Sequence, residues 1–165
     1  MMRTLVVTPC SAKKRSQVPE PALAADLADQ QRRKEAHERL GAYALPAAEM
    51  YAGQHHRLVM EGVQAVWQRW GREALDLAIL SGGYGLLQAS QTIIPYDVSL
   101  DQFAGQALTD WGTMLQIPAQ TAARVSQYDL VFLLLDGSYL AVLDLPLDVP
   151  ERVQQILLTG WADIE

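Results

Sequence analysis

Cys10, with Lys13 and Lys14 three and four residues after it, is the grouping in this chain best suited to chemistry. Ammonium groups beside a thiol favour the thiolate, which is the nucleophilic form of cysteine. The same lysines could instead hold a phosphate or carboxylate by charge. Ser11 offers a hydroxyl nucleophile if a base lies near, and the sequence supplies no obvious one. The competing reading makes Cys10 a small buried residue and leaves both lysines as loop charges in solvent.

Two further segments carry residues of the same kind. Ser81-Gly82-Gly83-Tyr84-Gly85 places three glycines after an apolar run, where backbone amides can approach a ligand closely. It lacks the Gly-Lys-Ser/Thr ending of a phosphate loop and misses the spacing of a dinucleotide fingerprint. Downstream, Pro95-Tyr96-Asp97 offers an aromatic ring for stacking and a carboxylate that can act as general base or orient a lysine. The alternative is a capped turn, with Asp97 or Ser99 as N-cap and Tyr96 packed beneath it. Asp136-Gly137-Ser138-Tyr139 is a third polar turn after an apolar run.

These turns need elements to hold them. Residues 3–8 read as a strand stopped by Pro9, and residues 75–80 and 130–135 as two buried strands. The later two are continuous apolar runs, which suits a sheet covered on both faces. Each strand is expected to pass through its turn into a helix, so that the three loops assemble one site at the carboxyl ends of the strands. Helical patterns cover residues 22–40 and residues 46–70, where Leu58, Val59, Val63, Val66, Trp67 and Trp70 should face the core. Residues 100–111 read as partly helical, residues 118–127 as a helix, and residues 149–158 as one more helix with Trp161 packing after it. The expected fold is α/β, a small mainly parallel sheet flanked by helices, in a single domain over residues 1–165.

Composition narrows the function classes. The chain has 165 residues, half of them apolar and 19% charged, as expected of one globular domain. A net charge of −6 argues against a strongly basic nucleic-acid binder. One cysteine forbids an internal disulfide and a cysteine-rich zinc site, and points to a reducing, cytoplasmic setting. The apolar run at residues 5–7 is too short for a signal-peptide core, and that at residues 130–135 is too short to span a membrane. His55 and His56 are neighbours on a helix and point about 100° apart, so no metal ligand spacing is present and no cofactor is expected. The cluster Arg32-Arg33-Lys34 is broken by Glu35 and Glu38 and reads as a solvated helix face.

Taken together, three segments resemble the YaaA peroxide-stress family. Leu77-Ala-Ile-Leu-Ser-Gly-Gly-Tyr-Gly-Leu-Leu87, ending in Ile94-Pro95-Tyr96-Asp97, is similar to that family's "ILSGLYGLL…PY" stretch. Glu49-Met50-Tyr51-Ala52-Gly53 resembles its "LY-(S/T)-G" segment, and Cys10-Ser11-Ala12-Lys13 sits where it has Ser-Pro-Ala-Lys. The first loop, Pro9-Cys10-Ser11-Ala12-Lys13-Lys14, also resembles the Pro-Cys-Ser-x-x-Lys motif of archaeosine synthases, within a domain that acts on a deazaguanine base in transfer RNA. The YaaA likeness implies an α/β domain with a cleft built by these loops, DNA binding and protection against peroxide damage. The chain departs from it in being shorter, in having Cys10 for Ser, and in having Gly83 for a bulkier residue.

The resulting expectation is a nucleic-acid or nucleobase partner and no membrane. Cys10, Lys13 and Asp97 are the candidate catalytic residues. Ser11, Lys14, Tyr51, Ser81, Gly82, Gly83, Tyr84, Gly85, Tyr96, Asp136, Gly137 and Tyr139 are the candidate ligand contacts. A redox or nucleophilic thiol at Cys10 is the second reading, and a non-catalytic module holding a small anion is the third.

Overall fold

The computed structural model describes residues 2–135 and 137–160. Its centre is β1 (Thr4–Pro9), flanked in parallel by β3 (Asp76–Ser81) and β6 (Leu130–Leu133). Outside β6 lies β7 (Gln154–Leu157), also parallel, and outside β3 lies β4 (Gly85–Gln88), antiparallel. The five-stranded order is therefore β4-β3-β1-β6-β7, with a separate two-stranded pair of β2 (Leu45–Pro46) and β5 (Thr92–Ile93). The mainly parallel α/β sheet is as the sequence predicts.

Strand pleating sends successive side chains to opposite faces, and the core divides accordingly. Val6, Leu77 and Ile79 pack with Leu27, Ala36, Leu40, Ala47, Met50 and Val63, which come from the chain between β1 and β3. That stretch holds α1 (Ala24–Ala28), α2 (Gln30–Leu40), α3 (Ala47–Met50) and α4 (Gln54–Trp70). Leu5, Val7, Ala78, Leu80, Val131 and Leu133 face the other way, toward Leu115, Ile117, Val125, Tyr139 and Leu143. The helices there are α5 (Gly105–Met114), α6 (Ile117–Val125) and α7 (Gly137–Ala141). The chain leaves β1 toward one face and leaves β6 toward the other. The crevice between the carboxyl ends of these neighbours is a topological switch point, where open α/β sheets bind ligands.

Several expectations change at this level. Residues 22–40 do not form one helix: Asp29 adopts extended backbone and its side chain accepts from the Arg32 amide at 2.8 Å, so the helix restarts there. The α4 stripe is narrower than its apolar spacing, since Leu58 is 49% exposed and Trp70 66% exposed, while Val63 and His56 are buried. Residues 149–158 are not helical. They supply β7, because the edge of β6 offers parallel backbone partners and Leu158 N–H donates to Leu133 C=O at 2.9 Å. Residues 100–102 form only a single 3₁₀ turn before α5. Trp161 and Asp136 lie outside the described residues. No helix among the described residues is long and apolar enough to cross a membrane.

Candidate functional site

The glycine-rich turn is a hairpin, not the entrance to a helix. Ser81 pairs with Gly85 across a three-residue loop, and Gly85 has φ +74°, which favours glycine at the closing position. The fully buried Ser81 Oγ accepts from the Gly83 and Tyr84 amides, both at 3.1 Å. Those donors are consumed inside the protein, so the turn does not present them to a ligand. A Cβ at Gly82 would lie 2.8 Å from the Val98 carbonyl oxygen, and one at Gly83 would lie 2.8 Å from the Tyr96 ring. The absence of side chains therefore serves close packing against residues 96–100. The Tyr84 hydroxyl meets His37 Nε2 at 2.9 Å, and burial raises that phenol to about 12.

Behind the turn lies a buried chain of hydroxyls. With two amides on its lone pairs, Ser81 must donate to the Tyr96 oxygen 2.7 Å away, and Tyr96 then donates to Tyr51 at 2.7 Å. Burial drives both phenols well above their ordinary range, and negative charge at Cys10 adds to this. Tyr96 is 2% exposed, so the expectation of a stacking ring open to a ligand is corrected: its ring is a wall. It meets the Tyr51 and Tyr84 rings edge-on.

On the open side of that wall, the first loop folds back on itself. Ser11 Oγ donates to the Lys13 carbonyl at 2.7 Å and accepts from the Gly53 amide at 3.1 Å, while Ala52 N–H donates to Lys13 C=O. Ser11 thus ties the loop to the Tyr51-Ala52-Gly53 segment. The Lys13 side chain points into solvent, and Lys14 turns inward. Lys14 Nζ lies 4.2 Å from the Tyr96 ring centroid and 5.9 Å from that of Tyr51, and donates to the Ser11 and Ala12 carbonyls at 3.3 Å. Burial pushes its ammonium below the ordinary range, while negative charge at Cys10 and Asp97 pulls in the opposite sense. Lysine with a lowered pKa is one of the side chains proteins use for nucleophilic and base chemistry.

Cys10 stands at the switch point itself. Its N–H donates to Leu80 C=O at 2.9 Å, and its half-buried Sγ lies 3.1 Å from the Tyr139 hydroxyl. Tyr139 comes from α7, after β6, so this contact bridges the crevice between β1 and β6. Its hydroxyl is 3.4 Å from Ser99 Oγ, and burial, then negative charge at Cys10, drives it far up. Gly137 opens α7 with φ +50°, a backbone state that suits glycine. Asp97 is exposed near Lys14, its amide held by the Ala22 carbonyl at 2.8 Å.

The structure thus joins Cys10, Lys14, Asp97, Tyr51, Tyr96, Ser81 and Tyr139 in one place. It leaves Lys13 outside and gives Ser11, Gly82, Gly83, Tyr84 and Gly85 architectural tasks. Ser99, not singled out as a site residue, caps the 3₁₀ turn through the Asp101 amide and reaches Tyr139. The buried Thr8, whose Oγ1 lies 3.1 Å from His55 Nε2, was also not foreseen. His55 and His56 diverge: His56 Nε2 meets the Ala48 carbonyl at 2.8 Å. Among the described residues no cluster of three or more metal-ligating side chains occurs.

A family model described as "Family of unknown function (DUF6884)" matches residues 36–161, most of the chain. No curated protein matches it. The chain belongs to the DUF6884 family.

Proposed function

We propose that this DUF6884 protein binds a nucleic acid or a nucleobase in the cleft over β1, with Lys14 and Cys10 as the groups that meet the reacting atoms. One observation carries this reading. A lysine largely withdrawn from water rests on the Tyr96 ring, within electrostatic reach of Cys10 and Asp97, beside a topological switch point. Part of its ammonium is replaced more easily by the neutral amine than in water, which equips Lys14 as a base or nucleophile toward an electron-poor ring. Asp97 makes no ion pair with Lys14 within 4.0 Å and acts on its ammonium through charge at longer range, while the Tyr139 hydroxyl is within hydrogen-bond reach of Cys10. The resemblance of the Pro9–Lys14 loop to archaeosine synthases and of residues 77–97 to YaaA proteins supports a base or nucleic acid as the partner class. In the Pro-Cys-Ser-x-x-Lys spacing the final lysine is Lys14, the inward one.

The test is a binding panel of single-stranded and duplex DNA, RNA and free nucleobases, read by calorimetry or fluorescence. Wild-type protein should bind at least one class, and Lys14→Ala should weaken that binding at least tenfold. Absence of binding across the whole panel would sink the reading.

The Cys10–Tyr139 contact favours a second reading, a thiol that reacts directly with oxidants. It expects Cys10 to be alkylated rapidly near neutral pH, and more slowly in Tyr139→Phe. A thiol that stays inert until the protein unfolds removes it.

A further inference from the structure

A groove of about 670 Å³ runs beside α4, outside the cleft but sharing Tyr51 with it. Tyr51 therefore has its hydroxyl in the Ser81–Tyr96 chain and part of its surface in the groove. The volume lies within the range of small-ligand sites, of order 300–1,000 Å³.

Charge in the lining is uneven once its internal pair is removed. Arg124 and Asp76 offset each other's charge as an ion pair at 3.8 Å, and Asp76 also accepts from the Tyr128 hydroxyl. This leaves the exposed guanidiniums of Arg15, Arg57 and Arg72 against the carboxylates of Glu49 and Glu61. Among the described residues none of these five makes an ion pair within 4.0 Å. Arg72 lies over the Trp67 ring at 4.7 Å, so a cation and an aromatic face stand together at the far end. Guanidiniums spaced along a groove can track the backbone of a single strand of nucleic acid.

An independent feature marks the same wall as incomplete. His56 is 2% exposed and its Nε2 is engaged by the Ala48 carbonyl, which makes Nδ1 an acceptor, yet among the described residues Nδ1 has no hydrogen-bond partner. Burial lowers the pKa of this imidazole, so it does not solve the problem by taking a proton. Arg124, another lining residue, has a buried Nε with no acceptor among the described residues. Buried polar atoms left unpaired are uncommon and call for a partner.

We infer that the groove binds a run of phosphate backbone, with Arg57 near the start of α4 and Arg72 just past its end, about 20 Å apart along the helix, meeting different phosphates and Arg15 adding to the charge of the lining. The inference rests on the nucleic-acid reading of the cleft and extends it: the neighbouring unit of the strand enters past Tyr51 toward Lys14. A strand can engage both ends of the groove and a free nucleotide only one, and the experiment separates the two.

Fluorescence anisotropy of a labelled oligothymidylate, with adenosine monophosphate as competitor, would be followed over a salt series. Arg57→Ala and Arg72→Ala should each weaken binding several-fold. Each should also flatten the dependence of log K on log salt by roughly 0.7, the value for one lost phosphate contact on a single strand. Glu61→Gln should tighten binding, a gain that misfolding cannot produce. Competition by the mononucleotide as strong as that by unlabelled oligothymidylate overturns the strand, and weaker or absent competition supports it. If wild-type protein binds the oligothymidylate, loses it in Lys14→Ala, and keeps affinity and salt slope in both arginine variants, the groove is overturned and the cleft stands. If wild-type protein binds neither probe and the wider panel is also negative, both readings fail.

Discussion

The two walls of the cleft are built from similar side chains put to opposite uses. The inner wall, Ser81, Tyr96 and Tyr51, is a chain of hydroxyls in which the donors and acceptors of Ser81 and Tyr96 are matched inside the protein. The outer side, Cys10, Lys14, Tyr139 and Asp97, is half-open, and in it burial lowers the pKa of Lys14 against the pull of neighbouring negative charge while raising that of Tyr139. Polar groups that satisfy one another rigidify a core, whereas groups held in tension between water and burial remain available for chemistry. The glycine turn belongs to the first wall, although its composition suggests the second.

The largest effect should come from breaking the inner wall. Tyr96→Ala removes a fully buried ring and strands the Ser81 and Tyr51 hydroxyls, which should cost about 3–5 kcal/mol in urea unfolding. A loss under 1 kcal/mol would mean the wall is not structural. Gly82→Ala is next. Its Cβ would press on the backbone of residues 98–100, which cannot rotate away, so overpacking of about 1–3 kcal/mol is expected together with displacement of Ser99 from Tyr139.

Alkaline titration sharpens the same contrast. Tyr51, Tyr96 and Tyr139 have pKa values raised above the ordinary 10 by burial, so the folded protein keeps protons that the unfolded chain releases. Stability is therefore full below pH 10 and falls as pH rises above it, by up to about 1.4 kcal/mol per pH unit for each phenol. Tyrosinate absorbance and loss of circular dichroism should rise together for these residues; tyrosinate forming in a protein that stays folded contradicts the burial argument. The smallest effects should separate the two lysines. Lys13→Ala, at an exposed side chain, should leave stability within about 0.5 kcal/mol and binding unchanged. Lys14→Ala should cost binding far more than stability. The reverse ranking would exchange their assignments.

Much of this was legible in the chain. Buried parallel strands announce themselves as apolar runs, because both faces need the same chemistry. The three loops could be placed at the same end of the sheet for that reason, and Cys10, Lys14, Tyr51, Tyr96 and Tyr139 do meet there. The helix expected at residues 149–158 failed because a short, half-polar segment takes its conformation from the free edge beside it. Trp70 and Leu58 failed because an apolar residue at helical spacing is buried only where something covers it.

By itself the sequence determined the strands, the sites of the loops and the residue types that gather at their ends, since these follow from local periodicity and composition. Only the tertiary structure decided that Gly82 and Gly83 pack against protein, that Tyr96 is a wall, and that Lys14 turns inward where Lys13 does not. Two adjacent lysines are chemically identical in a sequence. What distinguishes them is a ring and two carbonyls from distant or folded-back chain, and the loss of water that comes with them.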